Sequence, residues 1–121
     1  MADQKHVLIV DDDPLILDIL KLMLEPAYRT SRAISVTEAA ASLDQTHFDL
    51  LLTDYLLADG RGTTLLAQAK QLGVPAILMT GYPNEVGAEQ LDRKPLIKPF
   101  VMTALLAEIQ TALVGPTAPF F

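Results

Sequence analysis

The chain has 121 residues, half of them apolar, and a formal net charge of -6 at pH 7, which is typical of one domain with its own core. Cysteine is absent, which excludes thiolate chemistry, and two histidines, His6 and His47, argue against an imidazole-based metal site or triad. The acidity disfavours direct nucleic-acid binding, and no apolar stretch approaches the roughly 20 residues of a membrane span.

Apolar runs typical of buried strands alternate along the chain with stretches whose apolar residues recur at helical spacing. The predicted strands cover residues 6–10, 28–34, 48–53, 76–79 and 96–97. The predicted helices cover residues 14–24, 36–45, 63–72, a short piece of 84–93, and 100–113. Five strands alternating with five helices predict an α/β three-layer sandwich with a parallel sheet.

Capping residues support the first two helices. Asp12 or Asp13 can cap the first helix, with Pro14 in its first turn. Ser35 or Thr37 can cap the second helix.

Polar side chains follow several of the predicted strands at the point where each strand ends. These residues are Asp11, Asp12, Asp13, Asp54, Thr80 and Lys98. Because the carboxyl ends of parallel strands share one edge of the sheet, we expect these side chains to converge there. Clustered carboxylates need a compensating cation, and oxygen ligands without His or Cys favour Mg²⁺. A lysine and a hydroxyl beside them suit the oxygens of a phosphoryl group, so the sequence predicts a site for phosphoryl transfer.

Each of these residues also has an ordinary structural explanation. Asp13 before Pro14 can be a helix cap only, Thr80 a turn residue and Lys98 a solvated surface charge. Asp49 and Asp59 we assign to loop solvation rather than chemistry. Polar residues at the ends of four apolar runs together favour a functional site over these separate explanations.

Four short segments resemble the receiver domains of two-component response regulators, and the resemblance covers nearly the whole chain. Residues 7–13 resemble the opening strand with its acidic pair, and residues 49–54 resemble the phosphoacceptor strand. Residues 77–81 supply a threonine and a following small residue, and residues 97–100 match the family's Lys-Pro-Phe, whose Lys-Pro bond is typically cis.

The resemblance implies a flavodoxin-like fold, similar to that of chemotaxis regulators, with strand order 2-1-3-4-5 and a shortened fourth helix. It implies that Asp54 takes a phosphoryl group from a histidine kinase or a histidine phosphotransfer protein. Thr80 and Lys98 are then expected to bind the phosphoryl oxygens. The resulting change is expected on the fourth helix, fifth strand and fifth helix, through which receivers also dimerise, and this leaves the oligomeric state open.

The resemblance also implies a Mg²⁺ cofactor. Asp12, Asp54 and the backbone carbonyl of Leu56 are expected to hold the ion, with Asp11 acting through water. Leu56 further occupies the position near the water that attacks during dephosphorylation. Its apolar side chain cannot orient that water, which predicts a comparatively long-lived phosphoryl group.

The chain departs from the family pattern around the switch region. Pro95 stands where the family has an aromatic residue, and Leu57-Ala58 replaces the common Met-Pro pair. The segment 80–98 is also a few residues short, which predicts the reduced fourth helix. Tyr82 is a candidate for the missing mobile aromatic, although we favour a simple covering role for it.

Two alternatives remain open at this stage. A haloacid-dehalogenase-type phosphatase would use the Asp-x-Asp of residues 11–13, but it leaves Asp54 without a role and offers only Glu108 as a later acid. A receiver-like interaction module without phosphorylation is the second alternative. The downstream target cannot be read from the sequence, nor can the choice between a stand-alone regulator and a piece of a larger protein.

The chain ends give two further expectations. The last helical pattern stops near Val114, so we expect a receiver domain at residues 1–115 and a loose tail at residues 116–121. Residues 1–5 lack the apolar core of a signal peptide, and we therefore expect a cytoplasmic protein.

Overall fold

The computed structural model describes residues 4–86, 91 and 93–114. Within these residues the strands are β1 (His6–Val10), β2 (Arg29–Ala33), β3 (Leu50–Asp54), β4 (Leu56–Leu57), β5 (Gly60–Arg61), β6 (Ala76–Thr80) and β7 (Leu96–Ile97). The helices are α1 (Pro14–Leu24), α2 (Val36–Gln45), α3 (Gly62–Gln71), α4 (Pro83–Val86) and α5 (Met102–Val114).

Five strands form a parallel sheet in the order β2-β1-β3-β6-β7. Since β6 and β7 are the fourth and fifth of the predicted strands, this is the order 2-1-3-4-5, and both the predicted α/β fold and the flavodoxin-like topology are confirmed. The two short strands β4 and β5 form an antiparallel hairpin directly after β3. This hairpin was not predicted.

Helices cover both faces of the sheet, which explains why the central strands read as continuous apolar runs. On one face, α1 and α5 pack on alternate residues of β1, β3 and β6. On the other face, α2 and α3 pack on the intervening residues. A third cluster on this second side consists of Tyr55, Leu78 and Val86, and it lies beneath α4.

Capping side chains and a glycine define the ends of the helices. Asp13 caps α1 by accepting from the Leu15 backbone N–H, and Ser35 caps α2 by accepting from Glu38. After α3, Gly73 adopts a φ of 74°, a left-handed conformation that favours glycine and ends the helix. The Lys98–Pro99 peptide bond is cis, as the resemblance implied.

The described part of the fourth helix spans Pro83–Val86. Residues 87–90 and 92 lie outside the described residues, so the predicted shortening of this helix stays a prediction. The expected tail at residues 116–121 also lies outside them, so the domain boundary stays a prediction. Among the described helices, none is both long and apolar enough to cross a membrane.

Candidate functional site

The register of the sheet brings the polar strand ends into one row. Val10 at the end of β1 lies opposite Thr53, and Asp54 at the end of β3 lies opposite Met79. Thr80 at the end of β6 lies opposite Ile97. The residues that follow these strand ends therefore meet at the carboxyl edge, where open α/β sheets bind ligands.

Three carboxylates cluster at this edge. Asp11, Asp12 and Asp54 each offer an oxygen, and these oxygens all lie within 4.8 Å of one another. Asp11 is buried, Asp54 is partly buried and Asp12 is exposed, so the cluster opens towards solvent on one side. An arrangement of carboxylate oxygens alone fits a hard divalent cation such as Mg²⁺.

Lys98 binds two of these carboxylates. Its Nζ donates to Asp11 Oδ2 and to Asp54 Oδ1, each at 3.2 Å. The other carboxylate oxygen of Asp11 accepts from the backbone N–H of Asp13 at 2.9 Å. Burial disfavours the charged ammonium, but Asp54 and Asp11 outweigh it and raise the pKa of Lys98, so this side chain stays protonated.

Asp54 remains short of positive charge despite this ion pair. Burial raises the pKa of its carboxyl group, Lys98 opposes the shift, and the neighbouring Asp11 adds to it. The net pKa lies above the ordinary value, because one ammonium is shared between two carboxylates in a partly desolvated site. A further cation beside the cluster would relieve this imbalance, which supports a metal at this position.

An open cavity of about 420 Å³ lies above Asp54. The lining residues are Asp54, Leu56, Thr80, Gly81, Tyr82 and Lys98. Thr80 is buried, and its hydroxyl oxygen accepts from the Tyr82 backbone N–H at 2.8 Å, which leaves the hydroxyl proton available to another acceptor. Tyr82 is 61% exposed at the rim of the cavity, and its covering role stays a prediction.

The backbone beneath Asp54 depends on a glycine that the sequence analysis did not single out. The Gly62 N–H donates to the Tyr55 carbonyl oxygen at 2.7 Å. A Cβ atom at position 62 would collide with the Asp54 carbonyl oxygen. The start of α3 can therefore approach the end of β3 only without a side chain at this position.

Asp59 lies in the turn of the hairpin and has a different role from the one expected. Its carboxylate accepts from the backbone N–H groups of Val36 and Thr37 at 2.8 and 3.0 Å, and from the Thr37 hydroxyl at 2.8 Å. These bonds hold its pKa below the usual range. Our assignment of Asp59 to loop solvation was therefore wrong, since it caps α2 across 22 residues of sequence.

Asp49 also has a structural role in place of the expected loop solvation. Its carboxylate accepts from the backbone N–H of His6 at 2.8 Å, and its other oxygen lies 3.5 Å from the His47 ring. These contacts lie at the opposite edge of the sheet from the acidic cluster. Asp49 therefore belongs to the framework and not to the candidate site.

The fold and the site define a class: a flavodoxin-like α/β domain with an acidic pocket at the carboxyl edge of its sheet. Comparison with known families gives the particular family. The model of the response regulator receiver domain matches residues 7–110. The chain belongs to this family.

Curated relatives are bacterial regulators that are much longer than this chain. The transcriptional regulatory protein GlrR of Escherichia coli K12 is 33% identical over 115 residues, which are 89% of this chain and 26% of that protein. The response regulator protein PilR of Pseudomonas aeruginosa is 32% identical, covering 98% of this chain and 32% of PilR. The chain thus spans about a quarter to a third of these two relatives.

Solved receiver domains are similar over nearly their whole length. A CheY-like receiver from Methanospirillum hungatei is 36% identical with a TM-score of 0.83, over 92% of this chain and 94% of that one. The response regulator TrrA of Thermotoga maritima, solved in complex with Mg²⁺ and BeF, is 25% identical with a TM-score of 0.76. The match covers 88% of this chain and 96% of TrrA.

Proposed function

We propose that this receiver takes a phosphoryl group onto Asp54 within a two-component or phosphorelay system. The donor is a phosphohistidine on a histidine kinase or a histidine phosphotransfer protein. The observation that carries the proposal is the position of Asp54: its carboxylate lies in an open cavity, 3.2 Å from the Lys98 ammonium and beside Asp11 and Asp12.

In the transfer step, an Asp54 carboxylate oxygen attacks the phosphorus atom and forms an O–P bond. The P–N bond to the donor imidazole breaks, and the leaving nitrogen keeps the electron pair and takes a proton from water. The Lys98 ammonium then binds one phosphoryl oxygen in place of the Asp54 oxygen. The Thr80 hydroxyl donates to a second phosphoryl oxygen. In the product, Asp54 carries an acyl phosphate.

The same proposal assigns a Mg²⁺ site. Asp12, Asp54 and the backbone carbonyl of Leu56 would hold the ion, with Asp11 acting through water. The support is the carboxylate cluster and its shortage of positive charge, together with the Mg²⁺ complex of the related TrrA. When bound, the ion neutralises charge that develops on the phosphoryl oxygens.

The chain is on this proposal a cytoplasmic switch and not a multiple-turnover enzyme. One phosphoryl group is accepted, changes the protein's interaction surface, and is later lost to water. The downstream partner is a protein, in keeping with the relatives that are regulatory proteins.

Slow loss of the phosphoryl group follows from Leu56. Its side chain is 38% exposed on the cavity wall and has no polar atom to orient an attacking water. We expect Leu56→Gln, which supplies an amide there, to shorten the half-life of the phosphoprotein by about tenfold, equivalent to roughly 1.4 kcal/mol. The measurement is the decay of the phosphorylated mass after removal of the donor, and an unchanged half-life contradicts the role of Leu56.

Phosphorylation itself is tested with acetyl phosphate, with and without Mg²⁺, by intact-mass spectrometry. Wild type, Asp54→Asn and the control Asp18→Asn are compared. Asp18 is an exposed carboxylate on α1 that pairs with Arg32, so its loss changes the charge equally without touching the site. We expect one Mg²⁺-dependent phosphoryl adduct in wild type and in Asp18→Asn, and none in Asp54→Asn.

Other results would favour the two alternatives. No adduct on folded, Mg²⁺-supplied wild type would indicate an interaction module that does not use phosphate. Steady release of inorganic phosphate that persists in Asp54→Asn would indicate a phosphatase. An adduct that persists in Asp54→Asn without turnover would place the phosphoacceptor elsewhere.

A further inference from the structure

Tyr55 directly follows the proposed phosphoacceptor and is fully buried. Its side chain leaves the carboxyl edge and enters the small apolar cluster beneath α4, where it packs with Leu78 and Val86. The ring therefore lies between the end of β3 and α4.

Two contacts of Tyr55 connect these elements. At one end, its backbone N–H donates to Asp54 Oδ1 at 3.0 Å and to the Met79 carbonyl at 2.8 Å. At the other end, its hydroxyl donates to the backbone carbonyl of Glu85 at 3.3 Å. Tyr55 thus contacts the Asp54 carboxylate through its backbone N–H and α4 through its side-chain hydroxyl.

The surroundings of the ring limit its freedom. Leu66 of α3 packs against the same cluster, and the Arg61 guanidinium lies 5.6 Å from the ring centroid. A buried aromatic ring held on several sides transmits a backbone displacement instead of absorbing it by rotation. Among the described residues of α4, Pro83–Val86, Val86 alone is buried, and it packs in the same cluster as the Tyr55 ring.

We propose that Tyr55 couples the chemical state of Asp54 to the position of α4. This inference rests on the proposed phosphorylation of Asp54. Conversion of the carboxylate to an acyl phosphate removes charge from the oxygen that accepts the Tyr55 N–H, and this hydrogen bond weakens. The backbone at Tyr55 then shifts, and the side chain moves with it. The Tyr55 hydroxyl, which is hydrogen-bonded to the Glu85 carbonyl, displaces α4 in turn.

The surface that responds is the exposed segment 81–85. It lies directly after Thr80 and includes the rim residue Tyr82. This coupling supplies a route to the fourth helix that does not need an aromatic residue at position 95, where the chain has proline. Tyr55 therefore acts as a positioning residue for the output surface.

The test compares backbone NMR shifts of wild type and Tyr55→Phe before and after phosphorylation by acetyl phosphate with Mg²⁺. The Phe variant keeps the buried ring and removes only the hydroxyl. Phosphorylation of each sample is verified by intact mass. We expect the same adduct in both proteins, but at least a twofold smaller phosphorylation-induced shift at Glu85 and Val86 in Tyr55→Phe, with the shift at Thr80 retained.

Tyr82→Phe is the matched control, because it removes the hydroxyl of an exposed tyrosine at the same cavity. We expect it to keep the wild-type response at α4. Equal shifts at Glu85 in wild type and Tyr55→Phe overturn the coupling, as does loss of the response in Tyr82→Phe alone. A wild type that takes no phosphoryl group instead contradicts the proposed function, and the mass measurement separates that result from the failure of the coupling.

Discussion

Glycine at position 62 lets two backbone segments meet directly beneath the proposed phosphoacceptor. Its N–H bonds to the Tyr55 carbonyl, and its missing side chain leaves room for the Asp54 carbonyl oxygen. The Asp54 carbonyl oxygen belongs to the backbone, so it cannot rotate away from an added side chain as the tip of a flexible side chain could. The position of Asp54 therefore depends on a residue that has no chemistry of its own.

Replacement of Gly62 by alanine tests this dependence. We expect Gly62→Ala to lower the free energy of unfolding by about 1–3 kcal/mol, the usual cost of forcing extra volume into a packed site. We also expect a lower rate of phosphorylation, because the strand end that carries Asp54 must shift. Urea unfolding and the rate of adduct formation by mass spectrometry measure the two effects.

Gly73→Ala is the control for this prediction. Gly73 has a φ of 74°, and the space that a side chain would occupy there is open, so alanine costs stability through the backbone alone. We expect Gly73→Ala to destabilise the fold without slowing phosphorylation. If both variants phosphorylate at the wild-type rate, the close contact at Gly62 does not position Asp54.

At the scale of elements, the β4–β5 hairpin links the site to α2. The hairpin begins two residues after Asp54, and its turn residue Asp59 bonds to the first two residues of α2. The N-terminal turn of α2 thus has two caps, the local Ser35 and the distant Asp59. The distant cap holds the hairpin, and with it the Leu56 end of the cavity wall, against the body of the domain.

Removal of the Asp59 cap is expected to loosen both the β4–β5 hairpin and the N-terminal turn of α2. Asp59→Ala deprives two backbone N–H groups and one hydroxyl of their acceptor, and we expect a lower melting temperature and faster amide exchange at Val36 and Thr37. Glu108→Ala, which removes an exposed carboxylate of α5, is the control. A melting temperature equal to that of wild type, with unchanged exchange, would show that Ser35 caps α2 without help.

The buried elements were the predictable part of this fold. The central strands were recognisable because both of their faces are covered, which makes most of their residues apolar, and the site residues followed from where those strands end. The hairpin has only two residues on each side and gives no periodic pattern. Tyr55 and Asp59 could not be assigned from sequence, because their partners lie 30 and 22 residues away and become neighbours only in the folded chain.

At the scale of the whole molecule, the two edges of the sheet have different roles. The carboxyl edge holds the acidic cluster, whereas the amino edge holds a polar network around His6. The His6 ring is 8% exposed, stacks near Phe48 at 4.6 Å, and joins β1 to β2 through Arg29 and Ser31. This network connects β1 to β2, so it stabilises the sheet at a distance from the site.

The hydrogen bonds of His6 define its charge state. Arg29 can only donate, so Nδ1 accepts from its guanidinium at 3.0 Å, and Nε2 carries the proton and donates to the Ser31 hydroxyl at 2.7 Å. A second ring proton would lie against the guanidinium. Burial and Arg29 lower the pKa of His6, Asp49 opposes this, and His47 adds to the lowering.

Stability is therefore expected to depend on pH through His6. The unfolded chain binds a proton near the ordinary pKa of 6.5, whereas the folded chain resists protonation until lower pH. The contribution of His6 is complete above pH 6.5 and is lost as the pH falls through the folded pKa. We expect the free energy of unfolding, measured with urea from about pH 7.5 to about pH 5.5, to fall less steeply in His6→Gln than in wild type.

His47→Gln separates this effect from a general response to acid. The His47 side chain is 80% exposed and contacts only the Asp49 carboxylate among the interactions described. His47→Gln should keep nearly the wild-type pH dependence of the free energy of unfolding, whereas His6→Gln should make this dependence less steep. Equal slopes in all three proteins would mean that His6 is protonated as readily in the folded state as in the unfolded one, and that the amino edge does not bring pH sensitivity to the fold.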